Sequence, residues 1–190
     1  MISLAVFASG SGSNAENVYT YFSAHSGIHV THLISNKREA GVWDRFREIA
    51  VTKILINKLD LSSNEFIQSL QKVDFIILAG FLVLIPEELI KAFEHRIINI
   101  HPSLLPKYGG KGMYGDHVHQ SVLENNESNT GITIHLVNEK YDDGEILFQK
   151  SFSILPSFRI EDIRTKIHDL EYENFPKVIE DYCLKLGQRS

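Results

Sequence analysis

The 190-residue chain is 43% hydrophobic and carries a formal net charge of −5, which is enough apolar content for one domain with a sizeable core and too little length for two large ones. The negative balance argues against non-specific binding to nucleic acid or to an anionic membrane, both of which need a basic surface. A single cysteine, Cys183, excludes an internal disulfide and a Cys-x-x-Cys zinc site, and suits a reducing cytoplasm.

Met1 to Phe7 offers neither a basic leader nor an apolar stretch long enough for a signal peptide, and it runs straight into a glycine turn. It therefore reads as a first strand. Nothing along the chain reaches the ~18 apolar residues of a membrane span. Gly10-Ser11-Gly12-Ser13-Asn14-Ala15 follows that strand and opens a helix. Two readings are open: a turn with Asn14 as the helix cap, or a phosphate seat built from free N–H groups at the positive end of a helix. The string also fits the loose dinucleotide fingerprint Gly-x-Gly-x-x-Gly/Ala, but that fingerprint wants an acid after the second strand, where this chain has Asn36-Lys37-Arg38. A nicotinamide dinucleotide is disfavoured, and without Gly-Lys-Ser/Thr the loop is not a nucleoside-triphosphate loop.

Apolar, β-branched runs recur at Leu4 to Phe7, Ile28 to Ile34, Lys53 to Ile56, Asp74 to Leu78 and Arg96 to Ile100, each pair separated by a helix-like segment. The alternation predicts βαβ units and an α/β fold with a mostly parallel twisted sheet, flanked by helices on both faces. Phe75 to Leu78 has no polar face and is expected at its centre. Arg96 to Ile100 leads into Asn99-Ile100-His101-Pro102-Ser103-Leu104-Leu105-Pro106. Side chains two apart on a strand share a side, so Asn99 and His101 face one cleft. There an amide is suited to a developing oxyanion and an imidazole to a proton. The alternative is a loop cap and a satisfied core histidine.

Gly109 to Gly115 carries four glycines and is either a mobile cover over these groups that orders when ligands bind or a permanently ordered turn whose glycines satisfy positive φ angles. His117-Val118-His119 and His135 lack a third ligand at a recognisable spacing, so no metal is expected, and His119 is assigned to solvent. After Gly131, Ile132 to Val137 and Ile146 to Lys150 read as a late antiparallel strand pair joined through Tyr141-Asp142-Asp143-Gly144. That acidic string is either a plain turn or the source of a carboxylate beside His101 that raises its pKa. From Ile160 the helical spacing of Ile163, Ile167 and Leu170 predicts a final helix, kinked or restarted at Pro176.

Taken together, Gly10 to Asn14, Leu78-Ala79-Gly80-Phe81, Asn99 to Pro106 with Lys107-Tyr108, Gly131 to His135 and Tyr141 to Gly144 give a chain that resembles the glycinamide ribonucleotide formyltransferase family over nearly its whole length. The resemblance implies a single domain over residues 1–190, with a mononucleotide- and phosphate-binding half (1–100) and a folate-site and C-terminal helical half (101–190). It implies transfer of the formyl group of 10-formyltetrahydrofolate, the co-substrate, to the amino group of 5-phosphoribosylglycinamide in purine synthesis. The alternatives are transfer to another phosphorylated or nucleotide-linked amine, or a mononucleotide-binding module without chemistry.

By the same resemblance Asn99 stabilises the oxyanion, His101 exchanges protons with the leaving nitrogen, and Asp142 raises the pKa of His101. Gly12, Ser13 and Asn14 hold the phosphate. Glu171, four residues after the inward-facing Ile167, contacts the ribose. Leu82, Val83, Leu84 and Ile85, with Asn138, Asn99 and Asp142, line the folate pocket. The implied partners are small molecules, with no nucleic acid or membrane, and the implied state is a monomer or weak homodimer. Two departures stand out: the long Gly109 to Asp116 connection, and Asp143 where the family carries the first glycine of Asp-Gly-Gly.

Overall fold

Along the first strand, β1 (Ile2–Phe7), Leu4 and Val6 pack to one side and Ala5 and Phe7 to the other, all fully buried. A strand apolar on both faces needs a layer over each. The computed structural model, which describes residues 1–187, supplies both. The elements after β1 are α1 (Ser13–Phe22), β2 (Ile28–Ser35), α2 (Val42–Arg45), β3 (Thr52–Leu55), α3 (Asn64–Ser69), β4 (Phe75–Leu78), α4 (Glu87–Ala92), β5 (Ile97–His101), α5 (Asp116–Glu124), β6 (Asn129–Leu136), β7 (Ile146–Ser153) and α6 (Ile160–Gly187). One core holds Val18 and Phe22 of α1 and Ile163, Ile167 and Phe175 of α6 against Leu4 and Val6. The other holds Phe66 of α3 and Leu89 of α4 against Ala5 and Phe7. Each fully buried Leu, Ile or Phe contributes about 1.5–3 kcal/mol, so two such cores fix the sheet independently of the loops at its end.

The seven strands lie in the order β3-β2-β1-β4-β5-β6-β7. The first five pair in parallel, while β6 runs antiparallel to β5 and β7 antiparallel to β6. The order reverses direction between β1 and β4, and in such sheets the crevice outside the strand carboxyl ends at that reversal is the natural ligand site. Ser9 pins it: its hydroxyl donates to Asn36 Oδ1 at 2.6 Å and accepts from the Leu82 amide at 3.0 Å, joining the loops after β1, β2 and β4.

Two expectations are corrected. The late strand begins at Asn129 rather than after Gly131, because Gly131 pairs with Ser151 inside the ladder. A Cβ there would lie 2.0 Å from the Lys150 carbonyl oxygen, so the glycine permits a close strand approach rather than ending a segment.

The final helix does not restart at Pro176 but runs through it. Proline lacks the N–H that would reach the carbonyl four residues back, here that of Tyr172. Asn17 of α1 supplies the missing donor, its Nδ2 lying 2.9 Å from the Tyr172 oxygen. Removing Asn17 should orphan that carbonyl. We expect Asn17→Ala to cost about 1–2 kcal/mol in chemical denaturation, and less than half of that in a Pro176→Ala background, where an intrahelical bond can form. Equal costs in the two backgrounds would contradict the assignment.

Candidate functional site

The crevice begins at the N-terminus of α1. Gly12 caps the helix at φ 79° without a side-chain cap, a left-handed conformation that favours glycine. A Cβ at Gly12 would also lie 2.4 Å from Val42 Cγ2, so packing against α2 demands glycine independently of any ligand. The first turn of a helix leaves its amide N–H groups unpaired, and here that turn opens into the cleft beside Ser11, Ser13 and Asn14. Asn14 is not the cap. Its Nδ2 donates to Glu171 Oε2 at 2.8 Å, and its Oδ1 is buried without a partner. Burial pushes the Glu171 carboxyl up to about 7, against the opposing pull of the Asn14 amide.

At the far end, β5 and β6 pair with Asn99 opposite His135 and His101 opposite Thr133. The side-chain alternation that sends Ile98, Ile100, Ile132, Ile134 and Leu136 into one core turns Asn99, His101 and His135 to the other face. His135 Nδ1 lies 2.7 Å from the Leu136 carbonyl oxygen. A carbonyl only accepts, so this nitrogen carries the proton. Nε2 accepts from Asn99 Nδ2, 3.0 Å away, which leaves the second amide hydrogen of Asn99 for another acceptor.

His101, 4% exposed, donates from Nε2 to the Tyr108 carbonyl at 2.8 Å and places Nδ1 3.5 Å from Asp142 Oδ1. The same carboxylate oxygen lies 3.7 Å from His135 Nε2. Its other oxygen accepts from the Gly110 amide at 2.8 Å. Asp142 itself adopts φ 54°, a left-handed conformation that aspartate tolerates better than most residues. The neighbouring imidazoles and the Gly110 amide hold its carboxyl below the usual range despite burial. For His101 the expected upward pull of Asp142 is present but is outweighed. Asp142 and the Tyr108 carbonyl pull its pKa up, but burial is the larger effect and the net shift is downward.

Ser13, Asn14, Leu82, Asn99, His101, Asp142 and Glu171 thus line one cleft of about 510 Å³, a volume suited to small molecules. Gly12, Val83, Leu84, Ile85 and Asn138 do not line it: Gly12 and Ile85 are buried beneath, and Asn138 accepts from the Lys140 amide in its own turn. Gly110 to Gly115 runs along the cleft, tied to Asp142 at one end and, through the Asp116 carboxylate, to Arg164 at 2.7 and 3.0 Å at the other.

The sequence reading missed His119, Arg164 and His168, which also line the cleft, and the role of His135. His119, assigned to solvent, is 4% exposed; its Nδ1 has no partner among the described residues, and burial holds its pKa down. The spacing of Arg164, Ile167, His168 and Glu171 on one helical face was the available signal for the α6 residues. The antiparallel register of β5 and β6 was the signal for His135. Among the described residues no group of three or more His, Cys, Asp and Glu is arranged to hold a metal ion.

Comparison with known proteins identifies the family. Residues 2–179 match the formyl transferase family. The chain is 41% identical over 189 residues to the chloroplastic phosphoribosylglycinamide formyltransferase of Vigna unguiculata, covering 95% of this chain and 60% of that protein. It is 32% identical to the phosphoribosylglycinamide formyltransferase of Haemophilus influenzae, covering 95% and 86%. The crystal structure of the Bacillus halodurans phosphoribosylglycinamide formyltransferase superposes with a TM-score of 0.84 at 33% identity, over 94% of each chain. The chain spans less than two thirds of the length of the plant relatives, 60% of the Vigna protein and 65% of its Arabidopsis thaliana counterpart.

The Glu171 carboxyl generates a test. Its ordinary value is 4.5 and its folded value is about 7, so the folded chain holds a proton that the unfolded chain has lost between these limits. Its contribution to stability is full below the lower value and is lost as pH rises through the upper one. Denaturation midpoints should therefore show wild type losing ground to Glu171→Gln between pH 4.5 and 7, with a constant difference above about pH 8. A difference that is flat across the whole range would contradict the burial of this acid.

Proposed function

Because the chain belongs to the formyl transferase family, we propose that it transfers the formyl group of 10-formyltetrahydrofolate to the amino group of 5-phosphoribosylglycinamide, a step of purine synthesis, through a tetrahedral intermediate. One observation carries this reading: an unpaired helix N-terminus suited to a phosphate and an amide, imidazole and carboxylate suited to acyl transfer open into the same cleft.

The phosphate seats on the N–H groups at the start of α1, with the Ser13 and Asn14 side chains beside it and Glu171 at the ribose. This directs the amine toward Asn99. Of the three buried side-chain polar atoms without a partner among the described residues, Asn14 Oδ1, His119 Nδ1 and Thr130 Oγ1, the first two belong to residues that line the cleft and fit contacts completed by a bound ligand. The folate lies against Leu82 and beside Tyr141 and Asp142, which line the cleft.

The amine nitrogen attacks the formyl carbon. As the new C–N bond forms, the carbonyl π electrons move onto oxygen, where the free hydrogen of the Asn99 amide donates to the charge. His101 starts neutral, consistent with its depressed pKa, and takes the proton lost by the amine at Nδ1. The Asp142 carboxylate stabilises the resulting imidazolium. The same proton then passes to the folate nitrogen as its bond to carbon breaks, so no proton is gained or lost overall. Closure of the 109–115 segment over bound ligands excludes water, which favours attack by the amine over hydrolysis of the donor. The chain acts as a monomer or weak homodimer in this reading. The single buried cysteine, Cys183, supports a reducing, cytoplasmic setting.

Turnover followed by folate absorbance should require both substrates. Asn99→Ala is expected to lower kcat by about 10²–10³, as loss of an oxyanion donor does elsewhere, with little change in folate binding. Near-normal turnover of a folded Asn99→Ala protein would overturn the mechanism. Wild type should use the ribonucleotide far better than its dephosphorylated form, and equal use of the two would remove the phosphate assignment.

A further inference from the structure

The carbonyl that receives the His101 Nε2 proton belongs to Tyr108, which adopts φ 57°. An aromatic residue in that left-handed region is uncommon and costs about 1–3 kcal/mol unless its surroundings hold it. Those surroundings are specific. The Lys107 carbonyl, one residue earlier, accepts from the fully buried Ser103 hydroxyl at 2.7 Å, and the Ser103 carbonyl accepts from the Thr133 hydroxyl of β6 at 2.6 Å. Beyond Lys107 the anchor is the Tyr108 side chain. Its hydroxyl donates to Glu127 Oε1 at 2.9 Å, and Lys107 Nζ donates to the same oxygen at 2.8 Å. Glu127 is itself fixed in the turn between α5 and β6, its amide donating to the Val122 carbonyl at 3.2 Å.

We propose that Glu127 and Tyr108 are positioning residues for the transfer: through the Tyr108 backbone they fix which nitrogen of His101 keeps its proton, so that Nδ1, facing Asp142, is the one that works. This rests on the formyl transfer proposed above. The logic is a chain of constraints. A carbonyl opposite Nε2 compels that nitrogen to donate, which leaves Nδ1 as the site where a proton can come and go. Without the hydroxyl anchor, Tyr108 is free to relax to a negative φ, and its carbonyl then leaves Nε2. Both tautomers become accessible, and the imidazolium loses one of its two acceptors. The other titratable groups facing His101 are Asp142, His135 and His119. Among the described residues none of them hydrogen-bonds to Tyr108 or Glu127, but Asp142 is linked to the same segment through the Gly110 amide, so the tautomer, which the Tyr108 carbonyl sets directly, is the readout that belongs to the anchor.

The test reads the tautomer directly, in ¹⁵N spectra of the histidine side chains. The His101 signals are assigned by their loss in His101→Gln. Wild type should show the Nε2-protonated form above its titration midpoint. Tyr108→Phe and Glu127→Ala should each show an exchanging tautomer mixture, with the midpoint lowered by about half a unit as the acceptor is lost. In both variants kcat should fall about 10-fold with its pH limb displaced, while the KM values stay near wild type. Glu127→Gln, whose amide oxygen still accepts from the tyrosine, should restore the wild-type tautomer. Wild-type spectra and midpoints in both Tyr108→Phe and Glu127→Ala would overturn the proposal. The spectra need no substrate, so the tautomer change in a chain without formyl transfer would uphold the anchor and refute the proposed reaction.

Discussion

Burial takes His101 out of water, and the acceptors on its two sides decide what form the ring adopts. The Tyr108 carbonyl holds Nε2, and the Asp142 carboxylate faces Nδ1 at 3.5 Å. Burial favours the neutral ring and both acceptors favour the charged one; with burial ahead, the ring is neutral at rest with a stabilised path to its cation. A general base for an amine needs that balance. A group already charged at neutral pH has nothing to accept with, and one without acceptors cannot hold the proton once taken. The carboxylate, in turn, depends on Gly110 for its second oxygen, so the segment running along the cleft and the His101–Asp142 pair are mechanically one unit.

This arrangement depends on the sheet. Asn99 and His101 share a face because strand side chains alternate, and antiparallel pairing of β6 brings His135 opposite Asn99. A one-residue slip of β6 would turn the whole apolar set Ile132, Ile134 and Leu136 out of the core, so the cost of misregister is set by the core and not by the site. At the other end, Gly12 packs against Val42 and fixes the entry of α1, while Glu171 of α6 reaches Asn14. The two ends of the cleft are thus carried by different elements, the α1–α6 contact and β5, and residues of both line the one cleft.

Much of this was legible in the chain because it follows from local periodicity. The strand sequence, the covered sheet, the glycine turn before a helix, and the shared side of Asn99 and His101 all depend on neighbours two to four residues apart. What was illegible depends on partners far away. Pro176 suggests a helix break from its own chemistry, whereas Asn17, on another helix, donates to the carbonyl that the proline leaves free. Asp142 reads as a turn residue until the 109–115 segment places Gly110 on its oxygen. His119 looked solvent-facing because its spacing does not reveal that α6 covers it. The net direction of the His101 shift was illegible for the same reason: the neighbouring acid, which does pull the pKa up, is visible as a motif, whereas the burial that outweighs it is a property of the assembled loops.

The central claim is that phosphate and formyl group occupy opposite ends of one cleft. The most direct measurement is a crystal structure with 5-phosphoribosylglycinamide and a non-reactive formyl-folate analogue bound together. The account predicts the phosphate on the amide groups at the start of α1, and the carbonyl oxygen of the analogue about 3 Å from Asn99 Nδ2 with the amine beside His101. A phosphate bound away from α1, or a carbonyl out of reach of Asn99, would contradict it.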